Sequence, residues 1–259
     1  MARLDGKVCV ISGANSGIGA KTAEVFAKQG AKLVLMDRRD SKIDKVIAAV
    51  KKFTQDVVFL KADTTVLEDV EKVFKTAADT FGKVDVLVNC AGRLEEGMKP
   101  VDEFTEEDYD LIITTNLKGT MNMTREALKY MRPALKGSIV NIASISALHG
   151  NGSAVYVASK GGILSLTNHT ALRFAGTELR CNAICPGTVW TPMTRKSMKE
   201  ERSELATAFY DTIQAHCDAG THFPICKDQD IADIALFLAS DESRSITGQS
   251  ITADFGSNM

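Results

Sequence analysis

Short apolar segments alternate with longer amphipathic ones, and this alternation constrains the fold more than any other feature of the sequence. The apolar segments are rich in Val, Ile and Leu, which indicates strands buried on both faces. Between them, apolar residues recur at helical spacing, as at Ile43, Val46, Ile47 and Val50. Strands joined by helices form parallel sheets, because a parallel neighbour is reached only through a crossover connection. The pattern therefore predicts an α/β chain built on a parallel sheet.

The predicted elements follow one another without a linker, a repeat or a low-complexity tract, which favours one domain over residues 1–259. Thr105 opens a capping-box pattern for a long helix that runs through Asn116 toward Met131. Residues 188–226 form a longer connection rich in Met, Lys and Glu, and we expect a substrate lid there. The predicted strands are residues 7–12, 32–36, 57–61, 84–89, 138–143, 179–185 and 249–254.

Charge and hydropathy argue against several classes of protein. The 31 basic and 33 acidic residues leave a net charge of −2, which gives no reason to expect nucleic acid or an anionic membrane as a partner. No apolar run approaches the ~20 residues that a membrane-spanning helix needs. The N-terminal segment enters a strand-like run at once and lacks the pattern of a signal peptide. We therefore expect a cytoplasmic protein.

The cysteines do not suggest a disulfide framework or a metal site. The chain has six cysteines and no Cys-x-x-Cys pair, which favours reduced thiols. His216, Cys217, His222 and Cys226 lie close together in sequence, but their spacing matches no zinc pattern. We expect no metal.

A glycine-rich turn, Gly13-x-x-x-Gly17-x-Gly19, lies between the first predicted strand and the first predicted helix. Glycines at such a turn let the backbone approach a pyrophosphate, whose charge is stabilised by the helix N-terminus. Asp37 ends the second strand 18 residues after Gly19, close to the ~20 typical of the acid that binds the ribose hydroxyls of NAD. Because a carboxylate there repels a 2′-phosphate, NAD is favoured over NADP. Arg38 and Arg39 follow directly, and they fit a phosphate ligand, a solvated charge pair or, for Arg38, packing over the adenine.

A tyrosine and a lysine stand four residues apart in Tyr156-x-x-x-Lys160, on a segment that is helical if the helix begins at Ala154. That spacing puts the phenol and the ammonium on one face. An ammonium beside a phenol favours the phenolate, so we predict that Lys160 lowers the pKa of Tyr156. Such a phenol can exchange a proton with an alcohol or carbonyl oxygen, which the hydroxyl of Ser144 can hold. The same spacing also fits a helix with an ordinary surface lysine.

Several motifs occur in a fixed order along the chain: Ser12-Gly-Ala-Asn-Ser-Gly-Ile-Gly19, Asp63-Thr64, Asn89-Cys-Ala-Gly92, Asn116, Ser144, Tyr156-x-x-x-Lys160 and Pro186-Gly-Thr-Val-Trp-Thr191. In this order they resemble the short-chain dehydrogenase/reductase family over essentially the whole chain. The resemblance implies a three-layer, doubly wound Rossmann fold with a seven-stranded parallel sheet. It also implies an NAD(P)-dependent alcohol dehydrogenase that acts on secondary alcohols or ketones, and a homotetramer.

The resemblance further implies roles for individual residues. Tyr156 would exchange the proton, Ser144 would hold the substrate oxygen, and Lys160 would stabilise the phenolate and bind the nicotinamide ribose. Asn116 would anchor a water that relays the proton. Asp37 would bind the adenosine ribose. The full set of implied cofactor contacts is Gly13, Ser16, Gly17, Ile18, Gly19, Asp37, Arg38, Asp63, Thr64, Asn89, Ala91, Gly92, Tyr156, Lys160, Pro186, Val189 and Thr191.

One departure from the family pattern leaves the working hydroxyl open. Ser144 stands 12 residues before Tyr156, where 13 is the commoner spacing, so Ser146 is an alternative. We favour Ser144, because Asn141-Ile-Ala-Ser144 matches the strand-end pattern of the family.

The predicted lid supplies the only indication of the substrate. Its apolar side chains favour a bulky apolar alcohol such as a hydroxysteroid or a bile acid, although such residues also form the core of a lid. An NADPH-dependent 3-oxoacyl (carrier protein) reductase is an alternative, and a non-catalytic nucleotide-binding sensor is a more distant one. The lid side chains in question are Trp190, Met193, Met198, Phe209, Tyr210 and Phe223.

Overall fold

The computed structural model describes the backbone of residues 2–217 and 225–257, and side chains within residues 2–213 and 225–257. In these ranges the strands are β1 (Val8–Ser12), β2 (Lys32–Asp37), β3 (Val57–Lys61), β4 (Val86–Asn89), β5 (Lys136–Ile142), β6 (Glu178–Pro186) and β7 (Ser250–Ala253). All of them pair in parallel, in the spatial order β3-β2-β1-β4-β5-β6-β7. This confirms the predicted doubly wound Rossmann fold with seven parallel strands.

Helices cover both faces of the sheet. They are α1 (Gly17–Lys28), α2 (Ile43–Val50), α3 (Leu67–Phe81), α4 (Glu106–Ile112), α5 (Gly119–Met131), α6 (Ser146–His149), α7 (Ala154–Arg173), α8 (Pro192–Ser197), α9 (Glu204–Cys217) and α10 (Asp228–Ala239). Helices α1, α2 and α10 contribute to the core on one face, and α3, α5 and the end of α7 to the core on the other.

The alternation of side chains along β1 shows how one strand serves both cores. Cys9 and Ile11 pack on the side of α1, whereas Val8 and Val10 pack on the side of α3 and α5. Successive side chains of a strand point to opposite faces, so a strand covered on both sides is apolar throughout. This explains why the strands read as continuous apolar runs rather than as alternating ones.

The long helix predicted after Thr105 is present, but it is not a regular α-helix. Thr105 forms the predicted capping box with Asp108, with hydrogen bonds of 3.2 Å and 3.0 Å. Between α4 and α5 the residues Ile113–Lys118 form a π-helical segment that contains the buried Asn116. Such bulges inside α-helices are frequent at functional sites. The insertion rotates the residues on either side of it relative to a regular helix.

The region of the predicted lid contains α8 and α9, and it is tied to the loop that follows β4. Lys196 pairs with Glu96, and the backbone N–H of Gly97 donates to Glu200 at 3.3 Å. Phe223 lies outside the described residues. No helix within residues 2–217 and 225–257 is both long and apolar enough to cross a membrane.

Candidate active site

A cleft of about 420 Å³ lies at the carboxyl ends of the strands, next to the point where the spatial order of the sheet reverses between β1 and β4. Ligands of open α/β sheets bind at such switch points. The fold brings almost all of the predicted cofactor residues to this cleft, together with Ser144. Those that line it are Gly13, Ser16, Gly17, Ile18, Gly19, Asp37, Arg38, Asp63, Thr64, Ala91, Gly92, Tyr156, Lys160, Pro186, Val189 and Thr191.

Asn89 is the one predicted cofactor residue that does not line the cleft. Its side chain is buried and donates to Asn141 Oδ1 at 2.8 Å and to Thr124 on α5 at 3.4 Å. Asn89 shares the face of β4 on which Leu87 packs against α3 and α5, because residues two apart on a strand point the same way. Its side chain therefore contacts the neighbouring strand and α5. The resemblance instead implied a contact with the cofactor.

The glycine-rich turn is packed too tightly for side chains at two positions. At Gly13, whose φ is +69°, a Cβ atom would lie 2.7 Å from the backbone nitrogen of Ala91. At Gly19 it would lie 2.3 Å from the carbonyl oxygen of Gly13. The N-cap residue of α1, Ser16, makes no side-chain capping bond, and the first turn of α1 carries no acidic residue. The helix N-terminus therefore faces the cleft with backbone N–H donors and no competing carboxylate.

Asp37 lies at the end of β2 with its carboxylate fixed. One oxygen accepts the backbone N–H of Asn15 at 3.2 Å, and the other accepts that of Arg39 at 2.9 Å. The side chain is 9% exposed, and each oxygen retains acceptor capacity toward the cleft. Arg38 also lines the cleft and stands 3.8 Å from Asp63. This end of the cleft thus combines a fixed carboxylate with exposed cations.

Tyr156 and Ser144 meet at the other end of the cleft. The side chain of Tyr156 is half-buried, and both it and Ser144 line this part of the cleft, where the Ser144 hydroxyl acts to lower the pKa of the phenol. Ser146 does not line the cleft, and its hydroxyl donates instead to the carbonyl of Asn151 at 3.4 Å. The geometry therefore places Ser144 rather than Ser146 beside the phenol.

The proton affinity of Tyr156 differs from the sequence prediction. Burial raises the pKa of Tyr156 to about 12, the Ser144 hydrogen bond acts downward, and the Glu95 carboxylate acts upward. The pKa of Tyr156 in the protein is thus raised and not lowered, so the predicted downward shift is wrong. The ammonium lies 5.7 Å from the centre of the phenol ring and donates to the carbonyl of Ile142 at 2.7 Å. Desolvation of the phenolate is the largest cause of the upward shift.

Lys160 is itself buried, and its burial lowers the pKa of its ammonium to about 8. An ammonium has three N–H donors, and one of them is used by Ile142. Among the described residues no second hydrogen-bond acceptor contacts Nζ. The lysine therefore presents donors into the cleft that a hydroxyl-bearing ligand can use.

Asn116 lies behind the cleft and not in its wall. Its side-chain oxygen accepts the N–H of Arg93 at 2.7 Å, and its side-chain nitrogen donates to the Arg93 carbonyl at 2.9 Å and to Ser159 at 3.0 Å. Both amide hydrogens are thus used by protein groups. The Oδ1 atom keeps one free lone pair for a water.

Comparison with known proteins adds to this geometry. Residues 13–258 match a family model described as enoyl-(acyl carrier protein) reductase. The 3-oxoacyl-(acyl-carrier-protein) reductase FabG of Thermotoga maritima is 36% identical over 98% of each chain. The chain belongs to the short-chain dehydrogenase/reductase family.

Other members of this family align over similar lengths. A protein named 3beta-hydroxysteroid dehydrogenase from Mediterraneibacter gnavus is 34% identical, over 99% of this chain and 96% of that one. The crystal structure of levodione reductase superposes with a TM-score of 0.87 and 32% identity, over 98% of each chain. Short-chain dehydrogenases are oxidoreductases that use a nicotinamide cofactor, so the chain is an oxidoreductase of this kind.

The residues of this dehydrogenase fit a nicotinamide dinucleotide. The N–H groups at the start of α1 suit its diphosphate, and the spare lone pairs of Asp37 suit ribose hydroxyls. The unused N–H donors of Lys160 suit the second ribose. No acidic side chain stands in the first turn of α1 to oppose the diphosphate.

Two residues of the site were missed from the sequence. Arg93 lines the cleft directly after the Asn89–Gly92 motif, and neither a hydrogen bond nor an ion pair holds its guanidinium among the described residues. Partial burial and the positive charges of Arg38 and Arg39 lower its pKa. Glu95 is buried beside Tyr156. Because Arg93 directly follows the Asn89–Gly92 motif, its position in the sequence could have indicated it. Only the fold brings Glu95 to α7.

Of the four residues that lie close together in sequence as a conceivable metal site, His216, Cys217 and His222 have side chains outside the described residues. Its fourth member, Cys226, is buried, and its thiol donates to the carbonyl of Ala253 at 3.2 Å.

Proposed function

We propose that this oxidoreductase transfers hydride reversibly between NAD(H) and a secondary alcohol or its ketone, with Tyr156 as the acid–base group. The observation that carries the proposal is that Tyr156, Ser144 and Lys160 line the same end of the cleft, with the Lys160 ammonium 5.7 Å from the centre of the half-buried phenol ring. A phenol, a hydroxyl and an ammonium in this arrangement can hold one oxygen atom and exchange a proton with it.

In the oxidation, Tyr156 as phenolate takes the hydroxyl proton while Ser144 donates a hydrogen bond to the same oxygen. A bound nicotinamide would supply the acceptor for the hydride of the carbinol carbon. In the reduction, Tyr156 gives the proton to the carbonyl oxygen. Lys160 stabilises the phenolate in both directions and binds a ribose hydroxyl.

A water between Lys160 and Asn116 completes the proposed proton path. A Cβ atom at Gly92 would lie 3.5 Å from both Asn116 Oδ1 and Lys160 Nζ. One water near that position can accept from the ammonium and donate to the free lone pair of Oδ1. The glycine supports the relay because it leaves this space open.

The preference for NAD rests on Asp37. Its carboxylate is fixed by two backbone N–H groups, so it cannot turn away from a 2′-phosphate. Repulsion between these two anions disfavours NADP, whereas two ribose hydroxyls can donate to the carboxylate.

We favour a bulky apolar alcohol, such as a hydroxysteroid or a bile acid, as the substrate. Met193 lines the cleft, and Trp190 and Met198 are exposed on the proposed lid, available to cover an apolar ligand. The relative named 3beta-hydroxysteroid dehydrogenase, at 34% identity, supports the same class.

A 3-oxoacyl (carrier protein) reductase that uses NADPH is the second candidate. The FabG relative of Thermotoga maritima supports it at 36% identity. Arg38, Arg39 and Arg93 all line the cleft, and a 2′-phosphate would find cations there.

A homotetramer is part of the proposal. Apolar side chains are exposed on α4, α5 and α7, which a second copy of the chain would cover: Tyr109, Leu111, Met121 and Leu172. Light scattering on the purified protein measures the assembly directly.

The experiment that tests the function compares NAD⁺ and NADP⁺ reduction across a 3β-hydroxysteroid, cholic acid, xylitol and 2,3-butanediol, and NADH and NADPH oxidation with acetoacetyl-CoA. NAD⁺-linked turnover of the steroid or the bile acid is the expected result. NADPH-dependent reduction of acetoacetyl-CoA alone would instead favour the second candidate.

The Tyr156→Phe variant separates an enzyme from a sensor. It removes the acidic O–H and keeps the ring, so turnover should fall at least about a thousandfold while NADH still binds, as measured by its fluorescence. Full turnover in this variant would contradict the assigned role of Tyr156.

A further inference from the structure

A buried carboxyl group that the proposed mechanism does not use lies beside the catalytic tyrosine. Glu95, on the loop between β4 and α4, is only 2% exposed. Its Oε1 atom accepts the backbone N–H of Tyr156 at 3.4 Å. Its Oε2 atom is buried and has no hydrogen-bond partner among the described residues. A buried carboxyl group with one oxygen unpartnered costs stability, so its presence calls for a functional reason.

The loop that carries Glu95 caps the catalytic helix from outside. The N-cap residue of α7, Ser153, makes no side-chain capping bond, and its buried hydroxyl has no partner among the described residues. The N–H of Ala154 donates to the Lys99 carbonyl at 3.1 Å, and the N–H of Tyr156 donates to Glu95. A carboxylate at a helix N-terminus is also stabilised by the helix dipole. Glu95 therefore accepts one of the N–H groups at the start of α7 that an N-cap side chain accepts in other helices.

The same loop holds a second residue of the proposed active site. Two positions before Glu95, the backbone of Arg93 makes both of its hydrogen bonds with the side chain of Asn116. A three-residue stretch thus connects Asn116 on the π-helical segment with Tyr156 on α7. A displacement of this stretch would move both groups at once.

The charge of Glu95 also bears on Tyr156. Three groups face the phenol: the Ser144 hydroxyl after β5, the Glu95 carboxylate from the loop after β4, and Lys160 on α7. The thiols of Cys90 and Cys185 in turn face Lys160. Of these groups, the carboxylate opposes the phenolate. Together with burial it raises the pKa of Tyr156, so the phenolate is disfavoured relative to the phenol. The protonated phenol is the form that donates to a ketone.

We propose that Glu95 is a positioning residue that holds the first turn of the catalytic helix and places a negative charge beside Tyr156. The inference rests on the proposed function of Tyr156 as the acid–base group. By this role of Glu95, the loop after β4 contributes to catalysis. The side chain acts in two ways, through a hydrogen bond and through its charge.

The two effects are tested with Glu95→Gln and Glu95→Ala. Glutamine keeps the acceptor oxygen and removes the charge, whereas alanine removes both. The matched control is Glu68→Gln, the same change on the exposed face of α3. The measurements are kcat and kcat/KM against pH in both directions, on the compound of the panel above that turns over fastest, with NADH affinity and the unfolding temperature of each variant.

In Glu95→Gln the oxidation should reach half of its maximal rate at a pH lower by about half a unit or more, and the reduction should fail at a correspondingly lower pH. NADH affinity should stay within about twofold, because the residue does not line the cleft. Glu95→Ala should show the same pH shift with a lower kcat and a lower unfolding temperature. In Glu95→Gln, kcat and the unfolding temperature should be restored. Glu68→Gln should change none of these quantities.

An unshifted pH profile in Glu95→Gln would overturn the inference, and this variant decides the question even if Glu95→Ala fails to fold. An unshifted profile combined with an inactive Tyr156→Phe variant contradicts only the role of Glu95. Wild-type turnover that survives in Tyr156→Phe contradicts the proposed function itself. The two failures are therefore distinguishable.

Discussion

Asn116 and Arg93 hold each other through a pair of hydrogen bonds, from Arg93 N to Asn116 Oδ1 at 2.7 Å and from Asn116 Nδ2 to the Arg93 carbonyl at 2.9 Å. The pair joins the π-helical segment to the loop that follows β4. The amide side chain of Asn116 provides the hydrogen-bond partners of the Arg93 N–H and carbonyl, which lie in no sheet or helix. The geometry of the cleft therefore depends on a side chain that does not line it.

Asn116→Ala should lower the free energy of unfolding by about 1–3 kcal/mol, because it leaves the partly buried N–H and carbonyl of Arg93 without their protein partner. It should also lower kcat at least about tenfold, since the loop after β4 loses its anchor. Asn182→Ala is the matched control. Asn182 is equally buried and bonds the backbone of Ile246 and Gln249 away from the cleft, so stability should fall while kcat of the folded enzyme stays nearly unchanged. Equal losses of kcat in both variants would contradict the assigned role of Asn116.

Lys160 should give the protein a pH-dependent stability that Lys160→Met lacks. Burial lowers the pKa of its ammonium to about 8 from its ordinary value of 10.5, so between these values the unfolded chain binds a proton that the folded chain does not. The wild type should therefore gain stability relative to Lys160→Met as the pH rises through this window, by up to about 3 kcal/mol, and lose that gain as the pH falls to 8. Urea unfolding of both proteins from pH 7 to pH 10 measures the difference. A constant difference would show that Lys160 is not desolvated in solution.

Asp37→Ala should change the choice of cofactor. Removing the fixed carboxylate removes its repulsion of a 2′-phosphate and leaves Arg38 and Arg39 nearby, so the ratio of NADPH to NADH affinity should rise at least about tenfold. Asp40→Ala serves as the control, because Asp40 is exposed and pairs with Lys61 outside the cleft. Kd values from NADH and NADPH fluorescence measure the effect without turnover. An unchanged ratio would remove the basis for the proposed NAD preference.

Arg93→Met should weaken the binding of the dinucleotide. The guanidinium lines the cleft, has no anionic partner among the described residues and lies in the field of two further arginines. A bound diphosphate or phosphate would relieve that repulsion, so the Kd of NADH should rise by about tenfold at low salt. Methionine keeps much of the apolar stem of the side chain. Arg132→Met, at an exposed position after α5, should leave the Kd unchanged.

Two adjacent glycines on the catalytic helix should respond differently to alanine. At Gly161 a Cβ atom would meet nothing within 4 Å, so Gly161→Ala should stabilise the chain by about 0.5–1 kcal/mol through its helix propensity. At Gly162 a Cβ atom would lie 2.8 Å from a methyl group of Leu117 on the π-helical segment. Gly162→Ala should therefore lose this gain or destabilise the chain. Equal effects of the two changes on the unfolding temperature would contradict the packing of α7 against the π-helical segment.

Most of the fold could be predicted because it depends on local patterns. The apolar runs mark all seven strands to within three residues at each end, and Asp37 proves to be the last residue of β2. The turn chemistry of Gly13 and the capping box of Thr105 also depend on sequence neighbours alone. By contrast, the π-helical segment around Asn116 was not predicted, because the sequence pattern predicted a single regular helix there.

The candidate site was predictable in its motifs and less so in its energetics. The ordering of motifs placed Tyr156, Lys160 and Ser144 together, and the cleft contains all three. The direction of the Tyr156 pKa shift was wrong, because the cost of desolvating a phenolate depends on how much protein covers it. The sequence also did not show which way the Asn89 side chain points, because the register of β4 against β5 turns it toward Asn141.

The sequence by itself determined the parallel α/β sheet, the glycine-rich turn, the acid at the end of β2 and the family to which the chain belongs, because each depends on residue type and spacing over short stretches. Only the tertiary structure decided that Arg93 faces the cleft, that Glu95 caps the catalytic helix and that burial governs the proton affinities of Tyr156 and Lys160. Hydrogen bonding across the fold and desolvation act between segments distant in sequence. Their magnitudes exist only once those segments are packed together.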